Sequence, residues 1–342
     1  MLKFNIKYFL KKIEVSGGIN VILISKILKV LSRPLWFIEK LIIKNNIEFL
    51  YPPLFIIGTP RSGSTLIYQV LINKYKFGYI SNLHDSFHWA PCLLHFFFKN
   101  VLELNSPVPY KSKYGIISGW KSPSEGGRGF WRKWFMSNNK EIEYKAKMDY
   151  NKLVILRKEL ATLTKIVNAP LLIKNLHLTL CIEYISNIIP EAKFLYIKRE
   201  PLPNALSLLI ARKEFGGTYN FWFSVKPPNY QKLLKLSPEE QVVAQIYYLT
   251  QFIEKRIEKI GRNKFLIIKY EEFCKDVYQY LENIKKFIEK DGYKIKERFE
   301  VPKRFEISKL EDKKVLVGDK IYKNLIFFIN KYFYNNNKFY NN

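Results

Sequence analysis

Short, almost unbroken apolar runs recur along the chain: LFIIG at residues 54–58, LLIKN at 171–175, KFLYIKR at 193–199 and KFLIIKY at 264–270. Runs of this length, rich in isoleucine and aromatic residues, predict strands, and their lack of polar alternation predicts burial on both faces, as in a parallel sheet. Between them the apolar positions fall at three- and four-residue spacing. The pattern predicts a helix over STLIYQVL after the first run, a long one over EEQVVAQIYYLTQFIEKRIEKIG at 239–261, and another starting near Asp276. Strands alternating with helices predict an α/β fold, a parallel sheet flanked by helices.

Residues 1–50 carry a different pattern. They predict two amphipathic helices separated near Ser16-Gly17-Gly18, with helical spacing in INVILISKILKVL and PLWFIEKLIIK. Lysine alternates with bulky apolar residues there, which suits either packing against the following domain or peripheral contact with an anionic membrane. Packing is the expected role. Pro52-Pro53 divides this N-terminal helical extension from an α/β domain expected over 51–335. The aromatic, irregular stretches at 99–147 and FWFSVKPPNY are expected to build the substrate site at the C-terminal edge of the sheet.

Composition narrows the field only slightly. Hydrophobic residues make up 48% of the 342 and charged residues 25%, ordinary values for a globular chain. The excess of 57 Lys and Arg over 30 Asp and Glu, a formal charge of +27, attracts anions. Lysine is spread from Lys3 to Lys338 and forms no basic block, so no nucleic-acid partner is expected. Cys92, Cys181 and Cys274 are far apart and without CxxC spacing, which predicts neither disulfides nor zinc and suits a reducing compartment. No apolar run reaches the ~18 residues of a membrane span, and MLKFNIKYFLKKIEV builds no signal-peptide core. The expected location is cytoplasmic, with peripheral contact at the inner membrane face as an option.

The chemistry concentrates in the first strand-to-helix turn. Gly58-Thr59-Pro60-Arg61-Ser62-Gly63-Ser64-Thr65 has the strand, glycine loop and helix context in which backbone N–H groups and a helix N-terminus converge on an anion. A nucleoside-triphosphate loop would read GxxxxGK[ST], but position 64 is serine and the loop's cation is Arg61. A triphosphate and its metal therefore lack their usual partner.

PRSGST, residues 60–65, resembles the 5′-phosphosulfate-binding loop of sulfotransferases that use 3′-phosphoadenosine 5′-phosphosulfate (PAPS). KFLYIKREPLPNALSLL is similar to the family's 3′-phosphate element, with Arg199 at a strand end and Ser207 on the following helix; Glu200-Pro201 replaces the more usual Asp-Pro. IKN at 173–175, PEEQVVAQ at 238–245 and KYEEFCKD at 269–276 look like the prokaryotic branch acting on carbohydrates and other acceptors, the likeness covering about 54–289. The resemblance implies a P-loop nucleotide-kinase-like fold, PAPS as co-substrate with no metal, and a saccharide or glycolipid acceptor.

It also implies roles. Pro60, Arg61, Ser62, Gly63, Ser64 and Thr65 would hold the 5′ end of the donor, and Arg199 and Ser207 its 3′-phosphate. Two proton acceptors are open: Glu125, before the aromatic and basic stretch FWRKWF, and His84 in SNLHDSFHWAP. Lys174 ends a strand at the functional edge, and Trp120, Trp131 and Trp134 suit stacking on sugars. Lys303 and Arg304 are candidates for the donor's 3′ end. Two other readings stay open, an ATP-dependent kinase with a degenerate loop and a noncatalytic basic protein.

Overall fold

The computed structural model describes residues 19–43, 45, 48–125, 129–135, 149–290 and 292–334. Four parallel strands form its centre: β1 (Leu54–Gly58), β2 (Leu172–Lys174), β3 (Lys193–Lys198) and β4 (Phe265–Lys269), in the order β2-β1-β3-β4. They are the four apolar runs, and the register explains why those runs lack alternation. Phe55 and Ile57 of β1 enter one core with Ile173, Phe194 and Tyr196. Leu54 and Ile56 enter the opposite one with Leu172, Leu195 and Ile197. Strand side chains alternate between faces, so a strand with two buried faces must be apolar throughout. β4 departs from this at the sheet edge, where Ile267 is 46% exposed.

Helices α1 (Ile19–Ser32) and α2 (Trp36–Ile43) precede the sheet. Between β1 and β2 lie α3 (Ser64–Lys74), α4 (Asn82–Ser86), α5 (Pro91–Leu102), α6 (Phe130–Phe135) and α7 (Tyr150–Val167). The link from β2 to β3 carries α8 (Ile182–Ile188), and that from β3 to β4 carries α9 (Pro201–Gly216), α10 (Tyr230–Leu233) and α11 (Pro238–Ile260). After β4 come α12 (Tyr270–Lys275), α13 (Val277–Glu289), α14 (Leu310–Val317) and α15 (Asp319–Ile329). Asp276 caps α13 by accepting from the Gln279 N–H at 3.0 Å, as its sequence position predicts.

The break between α1 and α2 falls at Arg33-Pro34, where proline cannot continue a helix; the break expected at Ser16-Gly17-Gly18 lies outside the described residues. α2 packs inward as expected. Ile43 joins the main core, and the fully buried Glu39 carboxylate accepts from the N–H groups of Cys92 at 2.8 Å and Leu93 at 2.9 Å. It thereby supplies α5 with the cap that Ala90 cannot.

The sheet topology positions the site. β1 connects toward β2 and β3 toward β4, so the connections diverge between the neighbours β1 and β3, which leaves a crevice at their C-terminal ends. In register, Gly58 lies opposite Ile197, Lys198 opposite Lys269, and Ile56 opposite Lys174. The residues that leave β1 and β3 therefore emerge side by side.

Candidate functional site

Thr59 to Gly63 turns tightly from β1 into α3. Arg61 has φ 65° and Gly63 φ 89°, both in the left-handed region. Only glycine fits at 63, because a Cβ there would sit 2.0 Å from the Tyr270 ring. No side chain caps α3, so its first N–H groups and the positive end of its dipole face the crevice at Ser64 and Thr65.

Two motifs 138 residues apart meet here: Arg199 donates from Nη1 to the Arg61 carbonyl at 2.8 Å. Arg61 in turn donates from Nε to the Ser207 hydroxyl at 3.1 Å. Arg199 also lies over the Tyr270 ring, 4.7 Å from its centroid, and its Nε is 3.6 Å from Glu271 Oε1. That Nε is buried without a hydrogen-bond partner among the described residues. Beneath the loop, Asn204 donates to Thr59 Oγ1 at 2.8 Å and ties α9 to β1.

Lys174, at the end of β2, donates to Thr65 Oγ1 at 2.9 Å and forms an ion pair with Glu125. Gly115 passes over this cluster, where an added Cβ would meet Glu125 Oε1 at 3.0 Å. All of these groups line one cleft of about 770 Å³. Its far wall is aromatic: Tyr114 donates to Glu214 at 2.6 Å and packs edge-on against Phe215 and Phe223, beside Trp222.

Arg61, Arg199 and Lys313 crowd together in one part of the cleft, whose lining also includes Asp85, Glu125, Glu214 and Asp312. Burial, and next the charge of Arg199, push the Arg61 guanidinium below its ordinary value. Lys313, on α14 and 9% exposed, is pushed down to about 8 by burial and then by Arg199 and Arg61. Like charges brought together out of water disfavour their own ionisation, and a polyanion placed among them would restore it.

Most of the residues expected from the sequence come together in this cleft: Pro60, Arg61, Gly63, Ser64, Thr65, Glu125, Lys174, Arg199 and Ser207 all line it. Ser62 does not; its side chain is fully buried, and its Oγ turns toward Gly58. His84 does not either. It forms a capping box with Ser81, whose N–H and hydroxyl engage Nδ1 at 3.2 and 2.7 Å, while Nε2 lies 3.2 Å from Nδ1 of the stacked His95. Burial, then His95, pushes its pKa to about 3. Both ring nitrogens are occupied, and the ring faces a separate cavity of about 290 Å³.

Trp131 and Trp134 are core residues and Trp120 lies outside the cleft, which Trp222 lines instead. Lys303 and Arg304 are exposed and outside it as well. The sequence reading missed Lys313 and His177, both of which line it. Lys313 is one lysine among many, marked only by its burial. His177 follows Lys174 by three residues, and that proximity to a strand end was the available signal.

The model of the Sulfotransferase family matches residues 52–291. Among solved structures the chain is similar to sulfotransferase STF9 from Mycobacterium avium, at 13% identity and TM-score 0.48 over 84% of this chain and 69% of that one. It is similar to sulfotransferase STF1 from Mycobacterium tuberculosis H37Rv at 12% identity and TM-score 0.47, over 75% of this chain and 72% of that one. No curated protein matches.

Proposed function

Since the chain belongs to the sulfotransferase family, we propose that it transfers the sulfuryl group of PAPS to a hydroxyl of a saccharide or glycolipid, without a metal. One observation carries this reading: the β1 loop and the β3 end share a cleft, joined by the Arg199 to Arg61 and Arg61 to Ser207 hydrogen bonds. A donor with a 5′-phosphosulfate and a 3′-phosphate needs two anion sites at neighbouring strand ends. The buried Nε of Arg199, which makes no hydrogen bond among the described residues, and the uncapped start of α3 are donors suited to such a group.

In this reading Arg61, the α3 N–H groups, Ser64 and Thr65 neutralise charge on the departing phosphate. Arg199, Ser207 and Lys313 hold the 3′ end. Glu125, held by Lys174 at the cleft wall, takes the proton as the acceptor oxygen attacks sulfur and the bond from sulfur to the phosphate oxygen breaks; the products are the sulfate ester, adenosine 3′,5′-bisphosphate and a proton. The aromatic wall offers ring faces to a sugar. Holding attacking and leaving oxygens in line is the remaining requirement.

Transfer from labelled PAPS to a cell-envelope extract tests the assignment. Arg61→Ala is expected to abolish labelling without unfolding the protein. Glu125→Gln is expected to lower turnover by about 10²–10⁴. Undiminished labelling by Arg61→Ala refutes the reading, and undiminished turnover by Glu125→Gln moves the base to another cleft residue, with His177→Asn the next variant to assay.

A further inference from the structure

A second feature lies on the N-terminal helices α1 and α2 and the end of α5. Along α1, Leu23, Ile24, Ile27, Val30 and Leu31 are 50–72% exposed, and their spacing puts them on one helical face. On α2 the buried residues are Glu39 and Ile43, while Phe37, Ile38 and Leu41 are 68, 43 and 59% exposed. α2 packs against α5, whose second half exposes Phe96, Phe97 and Phe98. Bulky apolar groups left exposed in this number on three helices of one region mark an interaction site.

Its exposed charges are mainly basic. Lys26 of α1, Arg33 in the turn to α2, Lys40 of α2 and Lys99 of α5 are exposed, and α1 and α5 contain no acidic residue, although the exposed Glu103 caps the C-terminus of α5. The acid of α2, Glu39, is fully buried as the cap of α5. A face that combines bulky apolar groups with lysine and arginine matches the boundary between acyl chains and anionic headgroups. No helix among the described residues is long and apolar enough to cross a membrane, so the match is to lying on the surface.

Through its inner side, opposite the exposed apolar face, α1 contacts α4, which forms part of the cleft wall. Ser25 of α1 and Ser86 of α4 are hydrogen-bonded at 2.9 Å, and Asn82 and Asp85 of the same five-residue α4 line the cleft. We propose that the outer face of α1, α2 and the end of α5 docks on an anionic bilayer, and that the acceptor hydroxyl belongs to a membrane-borne amphiphile presented across α4. The docking stands on its own; the acceptor class rests on the sulfuryl-transfer reading.

Full-length protein is sedimented with vesicles of phosphatidylcholine alone or mixed with phosphatidylglycerol, and its self-association is followed by sedimentation velocity. Retention on the anionic vesicles is expected. Val30→Glu combined with Phe37→Glu is expected to weaken it about tenfold or more, with melting temperature and adenosine 3′,5′-bisphosphate affinity unchanged. Wild-type protein that stays in solution with both vesicle types overturns the docking, as does undiminished retention of the double variant. A vesicle-independent dimer that these substitutions dissolve assigns the face to a second copy and also overturns it. Docking without bisphosphate binding removes the transferase reading and leaves the surface assignment. Docking and bisphosphate binding, with soluble sugars sulfated as fast as vesicle-borne glycolipids, removes the acceptor class alone.

Discussion

Arg61 holds a left-handed backbone conformation at φ 65° that costs a bulky residue of order 1–3 kcal/mol. The surroundings enforce it: its carbonyl accepts from Arg199 and its Nε donates to Ser207. Arg199 therefore organises the loop, and in the proposed reading it also offers charge to the donor. Arg199→Ala is expected to weaken bisphosphate binding by about 1.5–3 kcal/mol, the range for a hydrogen bond to a charged group, measured by calorimetry; unchanged affinity removes Arg199 from the site. Lys313 is expected to make the cleft pH-sensitive. Its folded value of about 8 lies below its ordinary 10.5, so between these values the unfolded chain binds more protons and stability rises with pH. Below about 8 both states are charged and the full cost of crowded cations is present. Anion affinity runs the other way, falling as pH rises through about 8. Lys313→Met is expected to flatten that decline, and a decline that survives the substitution places the titrating group elsewhere.

At the level of elements, the long helix α11 holds one wall of the cleft. Gln241 and Gln245 accept from the fully buried Arg212 of α9 at 2.8 and 2.9 Å. Gln245 also donates to the carbonyls of Phe223 and Val225 at 3.1 and 2.6 Å. Arg212 lies over the Trp222 ring at 4.6 Å. PEEQVVAQ, which the sequence marks as a helix start and as part of the likeness to the prokaryotic branch, is the clamp on the aromatic loop. Glu39 plays the corresponding part for α5, and Glu39→Ala is expected to cost about 1–3 kcal/mol, because it leaves the buried Cys92 N–H and the partly buried Leu93 N–H unpaired. Urea unfolding measures this, and a loss below about 0.5 kcal/mol would show that another group caps the helix.

For the whole molecule, the charge of +27 becomes specific only where the fold concentrates it. Arg61, Arg199 and Lys313 come from three distant segments and share a cleft, so a bisphosphate that bridges them ties the β1 loop, the β3 end and α14 together. Adenosine 3′,5′-bisphosphate at a hundredfold excess over its Kd is expected to stabilise the protein by about 2.7 kcal/mol, seen as a raised melting temperature that EDTA leaves unchanged. A shift that requires magnesium points to the kinase reading instead.

Local order determined what the sequence alone could disclose. The four strands, the glycine turn at 58–65, the long helix α11 and the start of α13 follow from apolar periodicity, glycine and capping residues, all of which act within a few positions along the chain. Which side chains share the cleft was decided by parallel register, which sets Gly58 beside Ile197 and so brings Arg61 to Arg199. Burial made the remaining choices: it enclosed His84 against Ser81 and His95, turned Ser62 inward, sent Trp131 and Trp134 to the core, and drew Lys313 out of a chain full of lysines. Sequence spacing specifies neighbours within a turn or a strand, whereas contacts between distant segments depend on how the sheet and its helices close around a common core.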